Sequence, residues 1–132
     1  MYEDQFFMAE LAGSQEAPPV HTDADGTALF HINKREKNIR FRLDVTVHAM
    51  KEANIELGSR RISGPTVVKL LEINSDEYND GLEGLIREAD FVGPLKGKSI
   101  TDFVDLMMSG KTYVNVHTKM YPNGEIRGQI RY

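Results

Sequence analysis

Cysteine and tryptophan are both absent from this chain of 132 residues. The first absence removes disulfides, thiolate zinc sites, iron–sulfur clusters and cysteine nucleophiles, so any bound metal must rely on His, carboxylate or carbonyl ligands. The second leaves a saccharide cleft without its largest stacking platform, which weighs against a two-carboxylate glycosidase built on Glu16 and Glu56. No run of about 18 apolar residues appears, so no membrane span is expected. The 16 Lys and Arg are outnumbered by 20 Asp and Glu, and a net charge of −4 lacks the electrostatic footprint of a nucleic-acid binder. Met1 to Phe7 has neither a basic start nor a long apolar stretch and does not read as a secretory signal. The chain as given therefore reads as cytoplasmic, or as extracellular or cell-surface where a signal segment has been removed.

What is present is alternation. From Ile39 to His48 apolar residues occupy every odd position and polar ones every even position, the pattern of a half-buried strand. Shorter versions run from Phe6 to Leu11, Ala28 to Ile32, Thr66 to Leu71, Leu85 to Phe91, Thr112 to His117 and Glu125 to Arg131. Turn residues separate most of them, at Asp25-Gly26, Asn79-Asp80-Gly81, Gly93-Pro94 and Pro122-Asn123-Gly124, the last predicting a hairpin. Seven or eight short strands with brief connections predict a single all-β domain over 1–132, an antiparallel sandwich or barrel. One stretch changes period: Ile100, Phe103, Val104 and Met107 have helical spacing, with Ser99 as cap and Gly110 as stop, so a short helix near 99–109 is expected to lid one end.

Two segments near the ends are distinctive. The first runs from Leu11 to Val20 as Leu-Ala-Gly-Ser-Gln-Glu-Ala-Pro-Pro-Val, followed by Thr22 and Gly26. The second comprises Ser109 to Thr118 and then Pro122-Asn123-Gly124-Glu125-Ile126-Arg127-Gly128-Gln129-Ile130. With Gly64-Pro65-Thr66-Val67-Val68 and the Gly97 to Ile100 helix start, they make the chain resemble the CHRD domain, the chordin-type module that also occurs as a free-standing microbial domain. The resemblance implies a Greek-key β-sandwich, similar in architecture to immunoglobulin-like and Cu,Zn superoxide dismutase-like sandwiches, without implying their chemistry. In chordin such domains belong to a protein that binds growth factors, and for some microbial members metal binding has been suggested.

The sequence departs from the family at the Ala-His-Ile-His-x-Gly motif that many members carry. Here Ala53-Asn54-Ile55-Glu56-Leu57-Gly58 stands in its place, and both histidines are lost. Asn54 and Glu56 still share a strand face and His117 is expected nearby, which leaves one imidazole, one carboxylate and one amide for a weak zinc or copper site. The alternative role for His117 is structural, hydrogen-bonded to Glu56. Glu16, Asn115, Glu125 and Arg127 form a second candidate set, which a rigid opening loop and cross-strand ion pairs would also explain. His21, His31 and His48 read as surface residues. Arg40 and Arg42 share one strand face and Arg127 and Arg131 another, and a basic stripe forms if those strands pair.

No nucleophile elbow occurs, and Gly93-Pro94-Leu95-Lys96-Gly97-Lys98-Ser99 is one residue short of a phosphate-binding loop. Superoxide dismutase-like chemistry would need more imidazoles than four scattered histidines supply. The sequence thus points to a non-enzymatic binding or interaction module for a protein or glycan partner, without a resident cofactor. Its alternatives are a weak metal-binding protein at Asn54, Glu56 and His117, and a structural module that self-associates into a homo-oligomer.

Overall fold

Residues placed at every second position turn one face of each strand inward, and the computed structural model, which describes residues 5–74 and 81–132, follows that rule closely. Eight strands form: β1 Gln5–Ala12, β2 Asp25–Asn33, β3 Asn38–Val45, β4 Met50–Leu57, β5 Thr66–Lys69, β6 Gly81–Arg87, β7 Thr112–Thr118 and β8 Ile126–Gln129. Among the described residues two α-helices interrupt them, α1 Leu70–Ile73 and α2 Ile100–Met108. All pairings are antiparallel, in the order β5-β4-β7-β8-β1-β2-β3-β6.

The sheet divides into two four-stranded halves. They join narrowly, where Ala12 of β1 pairs with Arg127 of β8 and Met8 bridges Arg131. At the opposite edges the Val92 N–H donates to Val67 O at 2.9 Å, so the sheet curls nearly into a barrel. The chain crosses from β3 to β4, returns from β5 to β6 and crosses again to lay β7 beside β4, the over-and-back path of a Greek key. Phe7, Phe30, Phe41 and Leu43 from one half and Ile55, Val114, Val116 and Ile126 from the other share a single core. The sequence reading of an all-β antiparallel fold with a short helix near 99–109 is what the molecule shows, as one nearly barrel-like sheet.

Differences in the element bounds have local causes. The alternation after Thr66 stops at Lys69 because Val67, Val68 and Leu70 are all buried, a spacing that the single turn of α1 satisfies while Leu71 stays exposed. Past Arg87 the chain leaves the ladder, and the Asp90 carboxylate accepts the Arg87 N–H at 2.8 Å in a tight turn. Phe91 consequently packs edge-on against Phe103 of α2, with ring centroids 5.3 Å apart, instead of continuing β6. The β3 alternation runs on to His48 in sequence, but the strand ends at Val45, where Thr46 binds the Asp25 main chain. Of the expected turn at Asn79-Asp80-Gly81, only Gly81 lies within the described residues.

The basic stripe does not form. β3 pairs with β2 and β6, whereas β8 pairs with β7 and β1, so Arg40 and Arg42 lie away from Arg127 and Arg131. Arg127 is only 2% exposed. His21 and His48 are on the surface as expected, and His31 is half-buried, stacked on Phe6 at 4.6 Å.

The helix α2 is built as its sequence predicts. Ser99 Oγ accepts the Asp102 N–H at 3.1 Å, Asp102 returns the bond to the Ser99 N–H, and Gly110 ends the helix at φ +71°. Replacing Ser99 with Ala should therefore cost about 1 kcal/mol in a denaturant titration, with the transition still cooperative.

Candidate functional site

Half of the molecule breaks the inside-out alternation. On β4, β7 and β8 the residues 53–56, 112–116 and 124–128 are buried without interruption, so the outward face there is covered as well as the inward one. The covered face is polar. It carries Asn54 and Glu56 from β4, Tyr113, Asn115 and His117 from β7, and Arg127 from β8, and the register sets Asn54 opposite Asn115, Glu56 opposite Tyr113 and Asn115 opposite Arg127. Segments 13–24 and 58–65 contribute the partners that close over this face.

Arg127 pins the second of these segments. Its Nη2 donates to Ser59 O at 3.1 Å and to Ile62 O at 2.7 Å, and its guanidinium carbon lies 3.5 Å from the centroid of the Tyr113 ring. Tyr113 Oη accepts the Gly64 N–H at 3.0 Å, and Gln129 Nε2 donates to Gly58 O and Gly110 O. Arginine suits this place because its planar fork can stack on a ring while its edge bonds carbonyls.

At the centre, Asn115 Nδ2 donates to Glu56 Oε1 at 3.2 Å and Thr66 Oγ1 donates to Glu56 Oε2 at 3.2 Å. His117 Nε2 stands 3.8 Å from Glu56 Oε2, and its Nδ1–H donates to Pro122 O at 2.8 Å. Burial pushes the Glu56 carboxyl up, but its bonds to His117, Asn115 and Tyr113 outweigh this and hold it below the ordinary carboxylate value. The same Glu56 contact raises His117 above the usual imidazole value, against the opposing effect of burial.

Glu16 arrives from the opening loop. A Cβ on Gly124 would fall 2.7 Å from both Glu16 Oε2 and Asn115 Oδ1, and Gly124 has φ +124°, so only glycine lets the hairpin approach this closely. Glu16 Oε2 and Asn115 Oδ1 are buried with no hydrogen-bond partner among the described residues. Burial drives the Glu16 carboxyl up to about 7, against the attraction of Arg127 and His117 and with added repulsion from Glu56. Glu125 lies in the adjoining contact, accepting from Thr22 Oγ1 at 2.5 Å and from Thr118 Oγ1 at 2.9 Å. Outside Glu16 opens a groove of about 280 Å³, walled by Pro18, Pro19, Val20, Tyr121 and Pro122.

Of the residues singled out from sequence, Glu16, Glu56, Asn115, His117 and Arg127 converge, and Glu125 makes a separate contact with Thr22 and Thr118. Asn54 shares the face, but its amide donates to Glu52 Oε1 at 3.3 Å, and Asn115 takes the place beside Glu56. Among the described residues no three His, Asp or Glu side chains are grouped so as to hold a metal ion. Sequence reasoning missed Tyr113 and Gln129, although the alternation that places Asn115 and His117 on this face also places Tyr113 there.

A family model described as the CHRD domain matches residues 7–130. Chordin from Danio rerio is 28% identical over 120 residues, which is 91% of this chain and 12% of that protein, so the chain spans about an eighth of its relative's length. No solved structure matches.

The titrations give a pH signature. Between the ordinary carboxylate value and about 7, the folded protein keeps a proton on Glu16 that the unfolded chain has released, so stability falls as pH rises through that window. His117, being raised, contributes stability below the ordinary histidine value that is lost as pH rises through its folded value. Glu56, being lowered, contributes stability that is lost as pH falls through its folded value. Wild-type unfolding free energy should thus decline from about pH 5 to about pH 8, by up to about 3 kcal/mol from Glu16 alone. The variant Glu16→Gln should match the wild type at the acid end and exceed it at the alkaline end; equal slopes for the two proteins would refute the assignment.

Proposed function

The chain belongs to the CHRD domain family, and on that premise we propose that it is a binding module, not an enzyme, whose recognition surface is the groove between residues 16–20 and 120–124. The observation that carries this reading is how the buried polar groups are used. Arg127, Tyr113, Gln129 and His117 are engaged with main-chain groups of loops and turns, and Glu56 is held by Asn115 and Thr66. Such a network fixes loop shape: Arg127, Tyr113 and Gln129 brace segment 58–65, while His117 holds Pro122 in the wall of a proline-walled groove that carries one acidic residue. Rigid loops on a sheet scaffold favour recognition, since less conformational freedom is lost when a partner docks. A protein partner fits a groove with these apolar walls.

The reading is tested by substituting the mouth of the groove, where Met120 is 78% exposed and Val20 only partly covered. A protein captured by the immobilised wild type should be lost on Val20→Glu/Met120→Glu and retained on Phe6→Glu, which alters the distant outer face of β1. Equal capture by both variants overturns the placement.

A second reading, a weak zinc or copper site, is favoured by one observation: the Nδ1–H bond to Pro122 O selects the tautomer whose Nε2 lone pair faces Glu56. Against it stand the occupied oxygens of Glu56 and the lack of a third grouped ligand among the described residues. Titration with zinc and copper decides it. Stoichiometric binding removed by His117→Ala, with the fold intact, would support the site, and heat changes no larger than those of the variant would dismiss it.

A further inference from the structure

We propose that the groove beside Glu16 receives the side chain of a lysine from a partner protein, its ammonium group replacing a proton as the donor shared by Glu16 and Asn115. The inference rests on the reading of the groove as the recognition surface and adds the chemistry of what enters it.

The starting point is a pair of acceptors without a donor. Glu16 is 5% exposed and Asn115 6%, yet Glu16 Oε2 and Asn115 Oδ1 have no partner among the described residues and converge on Gly124. Buried acceptors are nearly always satisfied, because leaving one unpaired forfeits its hydration with no return. The amide cannot turn round to help, since its Nδ2 is committed to Glu56. No hydrogen bond joins the nearby cations to Glu16 among the described residues: Arg127 is spent on Ser59 O, Ile62 O and the Tyr113 ring, and His117 donates through Nδ1 to Pro122 O and turns its Nε2, 3.8 Å away, toward Glu56. A donor must come from a proton on Glu16 itself or from outside.

The groove selects among outside donors. Pro18, Pro19, Val20 and Pro122 offer apolar walls to an alkyl stem, and Tyr121 adds a ring. A lysine carries four methylenes ending in three donors on a compact charge, which suits two carboxylate oxygens and one amide oxygen. The charged and titratable groups facing Glu16 are Arg127 from β8, His117 from β7 and Glu56 from β4. Because Glu16 titrates near 7, the proton and the ammonium compete for one place. The ionised fraction rises from about one tenth at pH 6 to about nine tenths at pH 8, and apparent affinity should rise about ninefold with it.

The test is a titration of the intact chain with Nα-acetyl-lysine methylamide, followed by amide chemical shifts at pH 6 and pH 8, with the norleucine analogue as control. The expected result is a shift of residues 16–20 and 120–124 by the lysine probe alone, an apparent Kd about ninefold lower at pH 8, and loss of the effect in folded Glu16→Gln. Equal affinity at both pH values, equal response to norleucine, or no response up to the solubility limit would each overturn the proposal, and the wild-type pH comparison needs no variant to fold. If the lysine probe fails while Val20→Glu/Met120→Glu still loses a captured partner, only the lysine assignment falls. If the groove variants also retain the partner, the recognition surface falls with it.

Discussion

The structure turns on a buried positive charge. Arg127, 2% exposed, lies at the narrow junction where β8 meets β1, across from Ala12, and its neighbour in register on the other side is Asn115. Taking a guanidinium out of water is tolerable only when its donors and its π-face are satisfied, and here two main-chain carbonyls and the Tyr113 ring supply that. Those carbonyls belong to segment 58–65, so satisfying the charge also fixes that segment over the outer face of the sheet. Its field then acts on Glu16, opposing the cost of burying a carboxyl. Core, covering loops and acid are thereby coupled through one side chain.

This explains why one half of the sheet obeys simple alternation and the other does not. On β1, β2 and β3 the outward positions stay in contact with solvent, apolar Phe6 and Leu29 among them, the ordinary condition of a sheet with one solvated face. On β4, β7 and β8 the outward positions are polar and dry, which requires each to find a partner. Some of those partners come from segment 58–65, and others join the two ends of the chain. Glu16 and Thr22 in the opening segment meet Asn115, Gly124 and Glu125 in the closing one, so the two distinctive sequence motifs are halves of one contact surface.

The fold was legible because period-two patterning and capping are local signals: the β3 alternation and the Ser99 to Gly110 helix could be read residue by residue. Bounds failed where burial of consecutive residues such as Val67 and Val68 overrides alternation. The candidate site was half legible. Asn54 and Glu56 could be grouped by parity with His117 expected nearby, but Asn115 takes the place beside Glu56, and the partners of Arg127 are main-chain carbonyls, which leave no trace in residue identity. Its parity on an alternating strand suggested an exposed stripe; the strand order separates it from Arg40 and Arg42, and the covering loop buries it.

The narrow seam has a consequence for assembly. Met8 near the start of β1 bridges Arg131 just beyond β8, with Met8 N–H to Arg131 O and Arg131 N–H to Met8 O both at 2.9 Å. The first and last described strands thus adjoin along one seam. A module whose first and last strands adjoin can be spliced into the surface loop of a host, or strung in series with copies of itself, without stretching either neighbour. The architecture is modular by virtue of where its first and last strands touch.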